Sequence, residues 1–158
     1  MPKVTLAVVA AMLLLRAPTV LAQHYYLDLL STLSRQLIIQ KDGISAGGTL
    51  TPVKFCPANS DYKCFNGGGL KFAVPKNPSS RDSWTYDGAA YKVTRRERLQ
   101  LLGEKVEIIF IEHASEGETF RFVFSNERGL VGIGLTGKAQ RFFLLENRCG
   151  FASSSTCR

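Results

Sequence analysis

The chain is short of the side chains that usually do chemistry. Its 158 residues include two histidines, one tryptophan and four cysteines, and no two cysteines form a C-x-x-C pair. Dithiol redox centres use that spacing because proximity lowers one thiol pKa, so its absence removes this class. Zinc sites bring cysteines together in short C-x₂₋₄-C pairs, which are also missing. No carboxylates are spaced recognisably for acid–base work. No apolar run reaches the ~20 residues that a membrane-spanning helix needs. The absence of an N-x-S/T sequon with x other than proline fits a bacterial source. The expectation is therefore a chain with no catalytic residue, no metal and no cofactor.

What is present begins at the N-terminus, MPKVTLAVVAAMLLLRAPTVLAQ. Lys3 precedes a twelve-residue apolar stretch, Val4 to Leu15, which Arg16 and Pro18 interrupt. Val20 and Ala22 then occupy the −3 and −1 positions of a cut after Ala22, the layout of a secretory signal peptide. Residues 1–22 are expected to be removed, leaving 23–158 as one secreted or periplasmic domain with no transmembrane helix. The signal carries Lys3 and Arg16, so the mature chain has 20 − 2 = 18 basic residues against 13 acidic ones, a net +5. That is too thin for phosphate neutralisation along a nucleic acid. An extracytoplasmic protein or an anionic envelope component is the expected partner, with lipid as a further one.

The four cysteines lie in "CPANSDYKC", Cys56 to Cys64, and "CGFASSSTC", Cys149 to Cys157, both C-x₇-C. In an exported chain an even count is read as structural disulfides. Turn formers inside both segments (Pro57, Asn59, Asp61; Gly150 and three serines) favour Cys56–Cys64 and Cys149–Cys157. Closing such a loop stabilises by ~2.5 kcal/mol, against ~4.5 for a cross-link over about 90 residues. Chain entropy thus favours the crossed pairing, while the repeated spacing favours two local staples.

Along the mature chain, residues 24–41 place Tyr26, Leu29, Leu30, Leu33 and Leu37 at helical spacing, with Asp28, Thr32, Arg35 and Gln36 mostly off that stripe. This predicts an amphipathic helix stopped by Asp42-Gly43. Residues 42–90 read as irregular with short strands. Pro52 and Pro75 hold "LTPVKFC" and "LKFAVP" to sheet edges, and Trp84 and Tyr86 alternate toward a DG turn. From 91 to 147, "YKVTRRERLQLL", "EKVEIIFIEH", "ETFRFVFS", "GLVGIGLT" and "QRFFLLEN" read as five strands of an antiparallel meander joined by short turns. Residues 148–158 form the second stapled loop. The fold class is α+β and β-rich: a helix packed on the meander, which could close into a half-barrel.

Three motifs tempt a catalytic or cofactor reading. "GISAG", residues 43–47, matches the G-x-S-x-G elbow, and Ser45 with Asp61, Asp82 or Asp87 and then His113 has triad order. The elbow, however, needs an entering strand and a leaving helix, and here a helix is expected to enter. "GIGLTG", residues 132–137, matches a dinucleotide fingerprint that must open a helix, yet a strand follows. Gly132 and Gly134 are instead expected to make room for Phe122 and Phe124. His24 and His113 would make a copper brace only if cleavage fell after Gln23. His113 is otherwise expected in a solvated turn with Glu112, Glu116 and Glu118.

Two functional readings follow, with a secreted enzyme of unrecognised activity as the third alternative. In the first, the chain is a non-catalytic binding protein that engages another protein, as inhibitors do, through the 56–64 loop with Tyr62, the adjacent "FNGGG" and the basic run "KVTRRER". Within that run, Arg95, Arg96 and Arg98 are the candidates, with Lys92, Arg96 and Arg98 expected on one face. In the second, Phe110, Phe120, Phe122, Phe124 and Phe142 line an apolar or lipid site. The order of signal, early helix and antiparallel meander is similar in organisation to exported half-barrel carriers of lipid, without a diagnostic motif. Burial in a core is the ordinary fate of such phenylalanines.

Overall fold

A computed structural model describes residues 23–31, 35–101, 103–115, 117–137, 140–154 and 157. The expected signal peptide, Thr32 and Leu33 of the expected helix, and Glu116 lie outside them. Where the helix was expected, two strands stand: β1 (His24–Asp28) and β2 (Gln36–Gln40). No α-helix occurs among the described residues. Burial alternates, with Tyr26 and Asp28 inside on β1 and Leu37 and Ile39 inside on β2. That is the period of a strand, and Tyr25-Tyr26 and Ile38-Ile39 are residue types that strands favour. Leu29 and Leu30, members of the supposed helical stripe, sit in a turn with 53% and 62% of their surface exposed.

The segment expected to be irregular supplies six strands. β3 (Gly43–Ala46) and β4 (Thr49–Thr51) extend the β1–β2 hairpin. β5 (Lys54–Phe55), β6 (Tyr62–Gly67) and β7 (Leu70–Pro75) form a separate three-stranded sheet. "LTPVKFC" breaks at Pro52, so the chain leaves the edge of one sheet and enters the edge of the other, consistent with the missing N–H of proline. A 3-10 turn at Pro78–Ser80 leads to β8 (Ser83–Tyr86). Asp87-Gly88, at φ 49° and 73°, closes a two-residue hairpin into β9 (Ala89–Leu101). Two positive φ angles in succession give the turn that matches strand twist.

The five-strand meander is present as β9, β10 (Glu104–Ser115), β11 (Glu118–Ser125), β12 (Gly129–Thr136) and β13 (Arg141–Leu145). It forms the middle of a ten-stranded antiparallel sheet in the order β4-β3-β2-β1-β13-β12-β11-β10-β9-β8. Residues directly opposite across antiparallel strands share a face. Val93, Ile111, Phe122, Ile133, Phe143 and Asp28 therefore form one row across six strands.

The small sheet, rather than a helix, covers that face. The Phe72 ring lies 5.0 Å from Phe122 and 6.2 Å from Phe124, and Trp84 Nε1 donates to the Ala73 carbonyl at 3.0 Å. Phe65, Phe72, Phe122 and Phe124 are fully buried, each stabilising the fold by roughly 1.5–3 kcal/mol through area removed from water. Asp28 ends the row as a buried carboxylate, accepting from Arg141 Nη1 at 2.9 Å and from the Leu30 N–H at 3.0 Å.

Two bulges reset which side chains share a face. In β9 the partner of Phe110 is Arg95 and that of Ile111 is Val93, leaving Thr94 as the extra residue. An inserted residue reverses the alternation beyond it. Lys92 consequently joins Arg95 on the outer face, apart from Arg96 and Arg98, in place of the expected Lys92–Arg96–Arg98 face. Val131 is the corresponding extra residue in β12. Gly132 and Gly134 lie on the outer face, where a Cβ would meet Val123 and Phe142 at 3.3–3.4 Å and Arg121 and Phe142 at 3.4 Å respectively. The room they make is occupied by Phe142 and Val123, not by Phe122 and Phe124.

Candidate functional site: a basic cleft between the two sheets

Both disulfides are the local ones, Cys56–Cys64 and Cys149–Cys157. Their loops converge on one place. Leu130 N–H donates to the Phe151 carbonyl at 2.8 Å and Gly150 N–H to the Arg128 carbonyl at 2.8 Å, which lays residues 150–151 beside the start of β12. The Tyr26 hydroxyl fastens the same segment, donating to the Leu130 carbonyl at 2.9 Å and accepting from the Phe151 N–H at 3.1 Å. Burial raises its pKa well above 10. The Phe151 ring thereby enters the aromatic cluster of the small sheet, 5.2 Å from Phe65 and 5.7 Å from Phe55.

Between this segment, the end of β2 and the Cys56–Cys64 loop lies an open cleft of about 710 Å³. Phe55, Phe151, Ile39, Pro57 and the Cys56–Cys64 bridge supply an apolar lining, and Tyr62 borders it, its ring 4.8 Å from Tyr86. Lys41, Lys63 and Lys76 bring positive charge to the same cavity. Lys63 Nζ donates to the Ala152 carbonyl at 2.7 Å and lies 5.9 Å from the centre of the Phe124 ring. Ala152 adopts a left-handed φ of 66° at this contact. Burial, and then the charge of Lys76, push the pKa of Lys63 below its usual value. His24 is also on the lining; its Nδ1–H donates to the Cys149 carbonyl at 2.9 Å. Burial lowers the His24 pKa below 6.5, partly opposed by that hydrogen bond.

A second depression, of about 570 Å³, lies on the outer face of the large sheet. Phe110, Val123, Gly134 and Phe142 form its floor, and Arg95, Arg121 and Arg141 stand around it. Each of these arginines is ion-paired: Arg95 with Glu97 at 3.1 Å, Arg121 with Glu112 at 2.8 Å, Arg141 with Asp28 at 2.9 Å. The Arg95 guanidinium also stacks 4.3 Å above the Phe110 ring.

The candidate residues are thus distributed over several environments. Tyr62 lines the cleft, whereas Phe65 of "FNGGG" is core and Gly68-Gly69 make the β6–β7 turn. Arg95 borders the outer groove, Arg98 is exposed opposite Glu107, and Arg96 is a structural tie bonded to Asp82 and to the Arg81 carbonyl at 2.8 and 2.6 Å. Of the five phenylalanines, Phe120, Phe122 and Phe124 are core and Phe110 and Phe142 line the outer groove. Ser45 is on β3 opposite Ile38, not on a strand-to-helix elbow. His113 is buried rather than solvated, its ring tilted 4.9 Å from Tyr91 and stacked 6.0 Å from Phe120. Its neighbour Glu112 pairs with Arg121 on the opposite face.

Lys41, Lys63, Lys76, Phe55 and Phe151 were not singled out by sequence reasoning. Phe55, Lys63 and Phe151 carry one signal, proximity in sequence to the cysteines, and Lys41 and Lys76 carry none. Among the described residues no group of three or more His, Cys, Asp or Glu is arranged to hold a metal, and no helix is long and apolar enough to cross a membrane. The chain matches no protein-family model, no curated protein and no solved structure.

Proposed function

We propose that this chain is an exported, non-catalytic binding protein that holds a small ligand in the cleft between its two sheets. The observation that carries this reading is the convergence of both disulfide loops on one cavity with an aromatic lining and a basic border. A volume of 710 Å³ falls within the range of roughly 300–1,000 Å³ common for ligand sites. Two disulfides suit an oxidising compartment, in keeping with the signal-like N-terminus. The test is native intact mass spectrometry of protein purified from a secreted or periplasmic fraction without reductant. The expected species starts at Gln23, is four hydrogens lighter than the reduced chain, and carries an adduct that Phe55→Asp abolishes while the fold persists. An adduct-free protein that no small molecule protects against thermal unfolding would overturn the reading.

A second reading rests on the outer face, where Leu30 and Leu144 are exposed by 62% and 39% and Phe110 and Phe142 line the groove. Scattered exposed leucines are ordinary, but a grouped apolar surface marks a contact site for another protein. On this reading Phe142→Asp with Arg95→Ala abolishes capture of an exported partner that the unaltered protein retains. Undiminished capture by that variant would exclude this face.

A further inference from the structure

The charges around the cleft narrow what it can hold, on the reading that the cleft is a binding site. Its lining includes three lysines and no aspartate or glutamate. None of Lys41, Lys63 and Lys76 takes part in an ion pair among the described residues, whereas the arginines of the outer groove are each matched by an acid. We infer that the cleft binds a single-chain anionic amphiphile, its head group against Lys63 and Lys76 and its alkyl chain along Phe55 and Phe151.

Lys63 carries the argument. An ammonium has three donors, and Lys63 spends one on the Ala152 carbonyl while its Nζ points over the buried Phe124 ring. Among the described residues Lys76 Nζ has only a long contact, 3.5 Å, to the Ala58 carbonyl. A cation drawn partly out of water beside a second cation is unfavourable without a counter-charge, and the lowered pKa of Lys63 reports that cost. A bound anion supplies the missing acceptors and reverses the repulsion. The apolar side of the ligand follows from the lining: Phe55 and Phe151, 5.7 Å apart, with Ile39 and Pro57 present a surface that a polar metabolite would leave unmatched. The outer groove lacks this combination because its cations are already neutralised.

The experiment uses the disulfide-intact chain and dodecanoate below its micellar concentration, with dodecanol and dodecylamine as probes of equal length. Isothermal titration calorimetry is expected to show dodecanoate bound about 10- to 100-fold more tightly than dodecanol, as charge-assisted hydrogen bonds require, with the difference shrinking at high salt. Lys63→Met is expected to bring dodecanoate down to the dodecanol affinity and leave dodecanol unchanged. Lys76→Met, at a more exposed position, is expected to weaken dodecanoate several-fold and serves if Lys63→Met does not fold. Dodecanol or dodecylamine binding as tightly as dodecanoate would overturn the inference and leave the small-ligand reading standing. Failure of all three probes would overturn the inference, and the small-ligand reading would then stand or fall on the native mass spectrum. Binding to phosphatidylglycerol vesicles with none to monomeric dodecanoate would also overturn it, in favour of a membrane surface.

Discussion

Tyr26→Phe removes a single oxygen on which two distant parts of the chain depend. The hydroxyl belongs to a side chain with no exposed surface and joins the Leu130 carbonyl of β12 to the Phe151 N–H of the second disulfide loop, at 2.9 and 3.1 Å. Phenylalanine preserves the ring and its packing, so the change isolates the two hydrogen bonds. Each contributes about 1 kcal/mol net, which puts the loss at about 2 kcal/mol. For a domain of this size that lowers Tm by about 7 °C. Urea titration is the assay: the midpoint shifts while the m-value stays constant. Hydrogen exchange supplies a local readout, because the Phe151 amide loses its acceptor and its protection falls more than that of the β10–β11 core. A loss below about 0.5 kcal/mol with Phe151 protection unchanged would refute the reasoning and mean that the disulfide and the Leu130–Phe151 backbone bond suffice to hold the loop.

Tyr91 presents the opposite case: its hydroxyl is buried with no partner among the described residues, so Tyr91→Phe is expected to raise stability by about 1–2 kcal/mol in the same titration; a loss would reveal a bridging group. Arg141→Ala strands the buried Asp28 carboxylate and is expected to cost about 3 kcal/mol, with Asp28→Asn in the same chain recovering part of it. Burial favours neutral His24 and lowers its pKa below 6.5, so the unfolded chain takes up the proton first. Stability is then full above pH 6.5 and falls as pH drops from there toward the lowered pKa. His24→Gln is expected to flatten this part of the stability–pH curve, and an unchanged slope between the two proteins would count against the assignment.

The strands of the C-terminal half are legible in the sequence, and the repeated cysteine spacing points toward two local staples, while the pairing itself is settled only by the fold. Apolar alternation in "ETFRFVFS" and "EKVEIIFIEH", short glycine-bearing turns and the repeated C-x₇-C are local signals, each contained within a dozen or so residues. The N-terminal segment reads as a helix because Tyr26, Leu29, Leu30, Leu33 and Leu37 satisfy a helical period, while β1 is a strand because it pairs with β2 on one side and, on the other, with β13, more than a hundred residues away. A helix makes its backbone hydrogen bonds within its own segment, whereas a strand needs a partner. The covering layer was misassigned for the same reason, since the small sheet reaches Phe122 and Phe124 only through tertiary packing.

The cleft was the least legible feature. Lys41, Lys63 and Lys76 come from three separated segments and Phe151 from a fourth, and in sequence each is an ordinary residue. The division of the phenylalanines followed from register. Phe122 and Val123 are neighbours in sequence that face opposite sides, and the bulge at Thr94 reverses which basic residues stand together. Composition and alternation decide that a chain like this forms sheets. Which faces meet, and therefore which lysines are left without a counter-charge, is decided only when distant strands pair.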